Sequence, residues 1–282
     1  DFADIKGQAL VKRAVEVAVA GGHNIFMIGP PGAGKTAIAK RIPGILPPMS
    51  LDESIELTMI YSIIGEVNEE NPLMTERPFR EVHSTITQSG LLGGGIYPRP
   101  GEISLAHKGV LFLDEIAEFQ RSVLESLRRP IEDGTIKIIR EKGEYEFPAE
   151  FLLVAAMNPC PCGNYPDLEK CTCTTAQRSA YFGKLSQPFL ERMDLCIDVP
   201  KMQYTHLTEE SEAEKSETIR ERVMRARKIQ ESRFQELQMH NTYLYQRFLN
   251  RRNIYFSCPD SYTSSLIKYI SEPKSNGNLN LS

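Results

Sequence analysis

The run Gly29-Pro30-Pro31-Gly32-Ala33-Gly34-Lys35-Thr36 has the residue types and spacing that a bound triphosphate requires. Glycines let backbone N–H groups close around phosphate oxygens, and the start of a following helix adds a partial positive charge. In that arrangement Lys35 neutralises the β- and γ-phosphates of ATP and the Thr36 hydroxyl ligates Mg2+. An apolar run precedes the loop, and Ile38, Ala39 and Ile42 line one side of the stretch after it, as a strand and a helix would. Downstream, Val110-Leu111-Phe112-Leu113 stops abruptly at Asp114-Glu115. A buried strand ending there puts Asp114 on the magnesium and Glu115 where it can act as base toward the attacking water. Ala155-Ala156-Met157 leads to Asn158-Pro159, a strand tip whose amide can orient that water or touch the γ-phosphate. Arg192 leaves two readings open: a finger reaching a neighbouring subunit's nucleotide, or a surface residue paired with Glu191 or Asp194.

A second chemistry is written in the cysteines. Cys160-x-Cys162 and Cys171-x-Cys173 offer four thiolates from one loop, a donor set suited to tetrahedral Zn2+. The pairs are closer in sequence than zinc pairs usually are, so four reduced thiols in a Pro/Gly-rich loop is the alternative. Cys196 alternates with Leu195 and Ile197 and reads as a core residue, while Cys258 carries no signal.

These groups need a scaffold. Apolar runs at 24–29, 110–114, 151–157 and 195–199 alternate with helical patterns, which predicts an α/β fold with a parallel sheet flanked by helices. The predicted core covers 1–200, and 201–282 reads as a partial helical lid. The stretch between Lys35 and Asp114 is longer than one helix, one strand and another helix need. The surplus is assigned to a loop insert at about 76–104, where Arg77, Arg80, His83 and Arg99 flank the run Gly90-Leu91-Leu92-Gly93-Gly94-Gly95. A second insert at about 134–148 reads as a β-hairpin turning at Lys142-Gly143. Both inserts can contact a phosphate backbone, and equally a neighbouring subunit. In the lid, Ile219, Val223, Ala226 and Ile229 form an apolar stripe expected to pack on the lid's own core. Arg220, Arg222, Arg225, Arg227, Lys228 and Arg233 make the same stretch locally basic, fit for DNA, an adjacent subunit or plain solvent.

Composition bounds the rest. The chain has 282 residues, 41% of them hydrophobic, a net charge of −4 and six cysteines. It is long enough for a large domain or two modest ones, and any nucleic-acid site must be a local patch. No run approaches the roughly 18 apolar residues of a membrane span, and no charged-then-apolar leader opens the sequence. No membrane association is therefore expected, and the cysteines read as thiols or metal ligands.

Taken in order, the motifs resemble AAA+ ATPases of the magnesium-chelatase-like ComM/YifB family. Besides the nucleotide motifs, the resemblance runs through Asp4-Ile5-Lys6-Gly7-Gln8, Gly22-His23-Asn24, Glu76-Arg77-Pro78-Phe79-Arg80, the segment from Arg99 to His107, and Asn158-Pro159-Cys160-Pro161-Cys162-Gly163. It covers about residues 1–235. The resemblance implies an AAA+ P-loop NTPase core whose Lys35 and Thr36 belong to the phosphate loop. It further makes Asp114 and Glu115 the Walker B acids, Asn158 sensor 1 and Arg192 the arginine finger. It implies a cytoplasmic ATPase that turns ATP and water into ADP and phosphate within a homo-oligomeric, hexameric ring. ComM is associated with DNA branch migration, so DNA is the expected partner and helicase or translocase action the expected output. The alternatives are a magnesium-chelatase ATPase subunit or a chaperone-like protein remodeller. The chelatase subunit carries an acidic Glu-Glu-Gly run after its sensor, where Cys160-Pro161-Cys162-Gly163 stands here. Members commonly carry a Lon-like domain ahead of this region and a sensor-2 arginine just after a Leu-Ser pair such as Leu281-Ser282. A chain cut before that arginine is expected to bind nucleotide and hydrolyse it weakly.

Overall fold

The computed structural model describes residues 1–70, 72–141, 143–201, 214–236 and 254–256. Its centre is a parallel sheet. Across the sheet lie Leu195–Asp198, Ile25–Ile28, Leu152–Met157, Val110–Leu113 and Phe79–Val82, with the short strand Ile254–Phe256 outside Leu195–Asp198. The three central strands, Ile25–Ile28, Leu152–Met157 and Val110–Leu113, are buried on both faces, so successive side chains feed two separate apolar cores. Ile25 and Met27 enter one, with Val110, Phe112, Val154 and Ile197, while Phe26 and Ile28 enter the other, with Leu111, Leu113, Leu153 and Ala155.

The first core is closed by the helix Ala9–Gly21, whose Val11, Ala14, Val15, Ala18 and Val19 are all buried. The second is closed by the hairpin Thr135–Arg140 and Gly143–Pro148, which turns Ile136, Ile138 and Phe147 inward. Lys142, expected at its turn, lies outside the described residues, as do Cys258 and Asn280-Leu281-Ser282.

Two expectations are corrected here. The insert expected at about 76–104 begins inside the sheet, because Phe79–Val82 is its edge strand, in register with Val110–Leu113. Only the part after it, with the helix Gln88–Leu92 and the ribbon Gly93–Gly94 against Arg99–Pro100, stands apart. The lid stripe also packs elsewhere than expected. On the helix Ser216–Glu236, Ile219 and Val223 are buried in the first core against Ala9–Gly21, while Ile229 is exposed. Much of the basic character of this helix is used in holding it there. Arg222 pairs with Glu16 and Glu214, Arg227 donates to the Val19 carbonyl, and Arg220 donates to the Gly44 carbonyl.

The helix Leu51–Ile64 begins with a reciprocal cap in which Ser50 and Glu53 bond each other's backbone N–H. Leu57, Ile60 and Tyr61 face inward. On the opposite side Leu51, Ile55, Met59 and Ile63 form an apolar row that is 44–66% exposed.

Candidate active site

Because the strands are parallel, their carboxyl ends meet along one edge of the sheet, and whatever follows each strand gathers there. Ile25–Ile28 delivers the phosphate loop, Val110–Leu113 delivers Asp114 and Glu115, and Leu152–Met157, which lies between them, delivers Asn158. Gly34 takes a φ of +90°, a left-handed conformation that a side chain disfavours, and so turns the loop into the helix Lys35–Ala39. That helix is only five residues long, so the loop's amides and Lys35 matter more than a helix dipole.

The Lys35 ammonium donates to the carbonyls of Gly29 at 2.6 Å and Pro30 at 3.1 Å, and to Asn158 Oδ1 at 3.1 Å. Burial lowers its pKa, with Asp114 and Glu115 opposing. The Thr36 hydroxyl donates to Asp114 Oδ2 at 2.7 Å, and the Glu115 backbone N–H donates to Asp114 Oδ1 at 2.9 Å. Lys35, Thr36, Asp114 and Asn158 thus form one connected group, with Glu115 exposed beside it. Thr36 and Asp114 supply adjacent hard oxygens, a donor pair that fits a magnesium ion keeping several of its waters.

Arg192 stands apart. It precedes Leu195–Asp198 and is therefore at the amino-end edge, away from the phosphate loop. Its backbone carbonyl accepts from the Asn24 amide at the start of Ile25–Ile28. Its guanidinium bonds Glu132 and, at 2.9 Å, the Pro188 carbonyl, with Glu191 at 3.7 Å. Glu132 was not among the partners expected from sequence. Beside it, burial pushes Asp194 up to about 6, against a hydrogen bond from the Asn24 backbone.

Two residues at the site, Gln8 and Tyr181, lie outside the nucleotide motifs. Gln8 donates to the Ala33 carbonyl at 2.9 Å and the Pro200 carbonyl at 3.2 Å, tying the phosphate loop to the end of the last core strand. Tyr181 is buried beneath the acids. Desolvation pushes its phenol up to about 12, helped by Glu118 and Glu115 and opposed by the Asn158 backbone. Glu115 itself has a φ of +49°, which motif spacing could not reveal.

The basic residues of the first insert serve the fold more than expected. Arg77 donates to the Lys108 carbonyl at 2.6 Å and pairs with Glu53, and Arg80 forms a two-pronged pair with Glu102. Neither is available as a phosphate contact. What the inserts do present is a joint tip. Arg140 of the hairpin donates to the Gly95 carbonyl, and Ile96, Tyr97, Arg99 and Ile139 are exposed around it.

The four cysteines also converge, with all sulfurs within 4.8 Å of one another. Cys160 Sγ lies 3.3 Å from Cys162 and 3.8 Å from Cys171, and Cys162 lies 3.7 Å from Cys171. A disulfide needs about 2.05 Å. A zinc tetrahedron with bonds of about 2.3 Å has sulfur–sulfur edges of about 3.8 Å, so the set fits zinc. A backbone hydrogen bond from Asn164 pulls Cys162 down to about 6, while burial pushes Cys160 up to about 12.

The class follows from where the groups stand: a phosphate loop, an acid pair and a sensor amide on one edge of a parallel sheet make this an AAA+ P-loop NTPase domain. The model of the family described as "Magnesium chelatase, subunit ChlI" matches residues 1–207, and the chain belongs to that family. Its relatives include proteins of the ComM/YifB kind. The chain is 49% identical over 201 residues to Competence protein ComM of Haemophilus influenzae, covering 71% of this chain and 39% of that protein. It is 46% identical over 200 residues to the uncharacterized YifB of Escherichia coli, covering 71% and 39%. An uncharacterized protein of Mycobacterium tuberculosis is 47% identical over 204 residues, covering 72% and 40%. The chain spans about two-fifths of the length of these relatives.

Proposed function

We propose that this chain is the ATP-hydrolysing module of a homo-oligomeric, hexameric ring motor that acts on DNA in the cytoplasm. The observation that carries the reading is the division of the site between two edges of one sheet. Lys35, Thr36, Asp114, Glu115 and Asn158 gather at the carboxyl ends, while Arg192 stands at the amino ends. A bound magnesium ion would supply positive charge that stabilises the transferring phosphoryl group. Thr36 and Asp114 would hold it. Lys35 exchanges its bonds to Gly29, Pro30 and Asn158 for phosphate oxygens. Asn158, released from Lys35, orients the attacking water, and Glu115, open to solvent, accepts its proton. Arg192 meets the γ-phosphate of the adjacent subunit, freed for that role from Glu132. The exposed row Leu51, Ile55, Met59 and Ile63 supports assembly, since monomers rarely leave so continuous an apolar stripe in water.

DNA is supported by the ComM relative and by the joint tip, where Tyr97 can stack on bases while Arg99 and Arg140 reach phosphates. The same tip exposes Ile96 and Ile139, which favours a second reading, a remodeller that grips polypeptide. No helix among the described residues is long and apolar enough to cross a membrane. The cysteine cluster enters this reading as a zinc site. The test is ATP turnover with and without single-stranded and branched DNA across a salt series, with Glu115→Gln as control. DNA stimulation that falls steeply with salt is expected. Glu115→Gln is expected to keep nucleotide binding and lose about 10²–10⁴-fold in turnover. Turnover indifferent to DNA but raised by an unfolded polypeptide would favour the remodeller.

A further inference from the structure

The cysteine loop touches the nucleotide site at two points. Cys160 is fully buried and lies two residues beyond Asn158, the partner of Lys35. Gly163, with a φ of +78°, lies so close to the phosphate loop that an added Cβ would stand 2.5 Å from Pro31 Cδ. Nothing apolar holds the loop in this position. From 161 to 173 only Gly163 is buried, and Leu168 is exposed. The loop's order has to come from polar cross-links: turn hydrogen bonds such as Cys171 N–H to the Asp167 carbonyl at 2.8 Å, the four sulfurs that join its two ends, and an anchor at its far end. There Arg178 donates to the Cys173 carbonyl at 3.2 Å and lies 4.4 Å over the Tyr165 ring. The Tyr165 N–H in turn points at Cys160 Sγ, 3.4 Å away.

We propose that zinc on Cys160, Cys162, Cys171 and Cys173 clamps this loop onto the phosphate loop, so that metal occupancy sets the affinity for nucleotide. The inference rests on the nucleotide and zinc readings given above and adds the coupling between them. With four thiolate ligands, zinc carries the ordering free energy of a loop that has no core of its own. Ordered, the loop seats Gly163 against the Pro31 ring and holds the strand tip that carries Asn158. Emptied, it gains the freedom of an unclosed loop, and both contacts loosen. The phosphate loop must then be ordered by the nucleotide itself, which weakens binding.

The experiment uses the full chain, kept reduced. It measures zinc content by elemental analysis and affinity by fluorescence titration with the ADP analogue mant-ADP, before and after zinc is stripped by a chelator. One zinc per chain is expected, with at least a tenfold loss of affinity on stripping and recovery when zinc is returned. Cys171→Ser with Cys173→Ser should reproduce the stripped state without any change at Asn158 or Pro31. Gly163→Ala guards against simple unfolding. It keeps all four thiols, should keep its zinc, and should still lose affinity because its Cβ drives the loop off Pro31. An unchanged affinity after stripping, or in zinc-loaded Gly163→Ala, overturns the coupling. A chain that holds no zinc while all four thiols react with a thiol reagent overturns the metal site. Lys35→Ala separates the readings: it should abolish mant-ADP binding with zinc retained, and if it binds normally the nucleotide site is misplaced instead.

Discussion

Glu115 has to be an acid at a backbone position better suited to glycine. Its φ of +49° costs a residue with a side chain about 1–3 kcal/mol, and such strain is tolerated where it aims a functional group. Substituting glycine should therefore remove both the strain and the base. Glu115→Gly is expected to raise the melting midpoint by a few degrees, about 1 kcal/mol, while hydrolysis is lost. A midpoint equal to or below that of the unaltered chain, read by calorimetry, would show that the conformation is unstrained. At this scale the motif residues were legible because their spacing is local: Lys35 and Thr36 are adjacent, as are Asp114 and Glu115. Gln8 was legible only as part of a family motif. Its contribution comes from bonds to the carbonyls of Ala33 and Pro200, far away along the chain, and a glutamine side chain alone does not announce such partners.

Among the elements, the helix Ser216–Glu236 depends most on a single pair. Glu16 is buried in Ala9–Gly21, and the Arg222 hydrogen bonds lower its pKa below the ordinary 4.5, with burial opposing. A carboxyl whose folded pKa is depressed contributes stability that is present above its unfolded value and lost as pH falls through the folded one. The docking of the helix should accordingly hold above about pH 4.5 and weaken below it. Arg222→Ala leaves Glu16 buried without this partner. It should cost roughly 1–3 kcal/mol near neutral pH, less than a fully buried pair would because the arginine is partly in water. It should also flatten the acid limb of a stability-against-pH curve measured by urea unfolding. An acid limb of unchanged steepness would assign that limb to other carboxylates. The element that sequence concealed is Phe79–Val82. Its residues Phe-Arg-Glu-Val lie at the sheet margin, where Arg80 and Glu81 can stay partly in water, so the continuous apolar run of an inner strand is missing.

For the molecule as a whole, the separation of Lys35 from Arg192 is the feature with the largest consequence. Parallel strands of four residues put roughly 13 Å of sheet between the two edges, before any side chain is counted. If Arg192 serves another subunit's nucleotide, defects in the two residues are complementary. Arg192→Ala should bind nucleotide yet lose about 10³-fold in turnover, and Lys35→Ala should fail to bind. Mixed before assembly, the two inactive chains should regain measurable phosphate release, since some interfaces then pair an intact loop with an intact arginine. Mixtures as inactive as their parts would place the action of Arg192 within its own subunit or remove it from the reaction.

The sequence by itself determined the nucleotide chemistry, the parallel α/β core and the presence of four thiols, because each is encoded by residues close together or by the period of buried strands. Tertiary structure alone decided what those residues are near. It joined Asn158 to Lys35 and removed Arg77 and Arg80 from the list of phosphate contacts. It turned three arginines of a basic helix, Arg220, Arg222 and Arg227, onto Gly44, Glu16 and Val19, and it set Gly163 against Pro31. Such contacts depend on how the chain crosses the sheet and on which charges find partners when water is excluded, and neither is a local property of sequence.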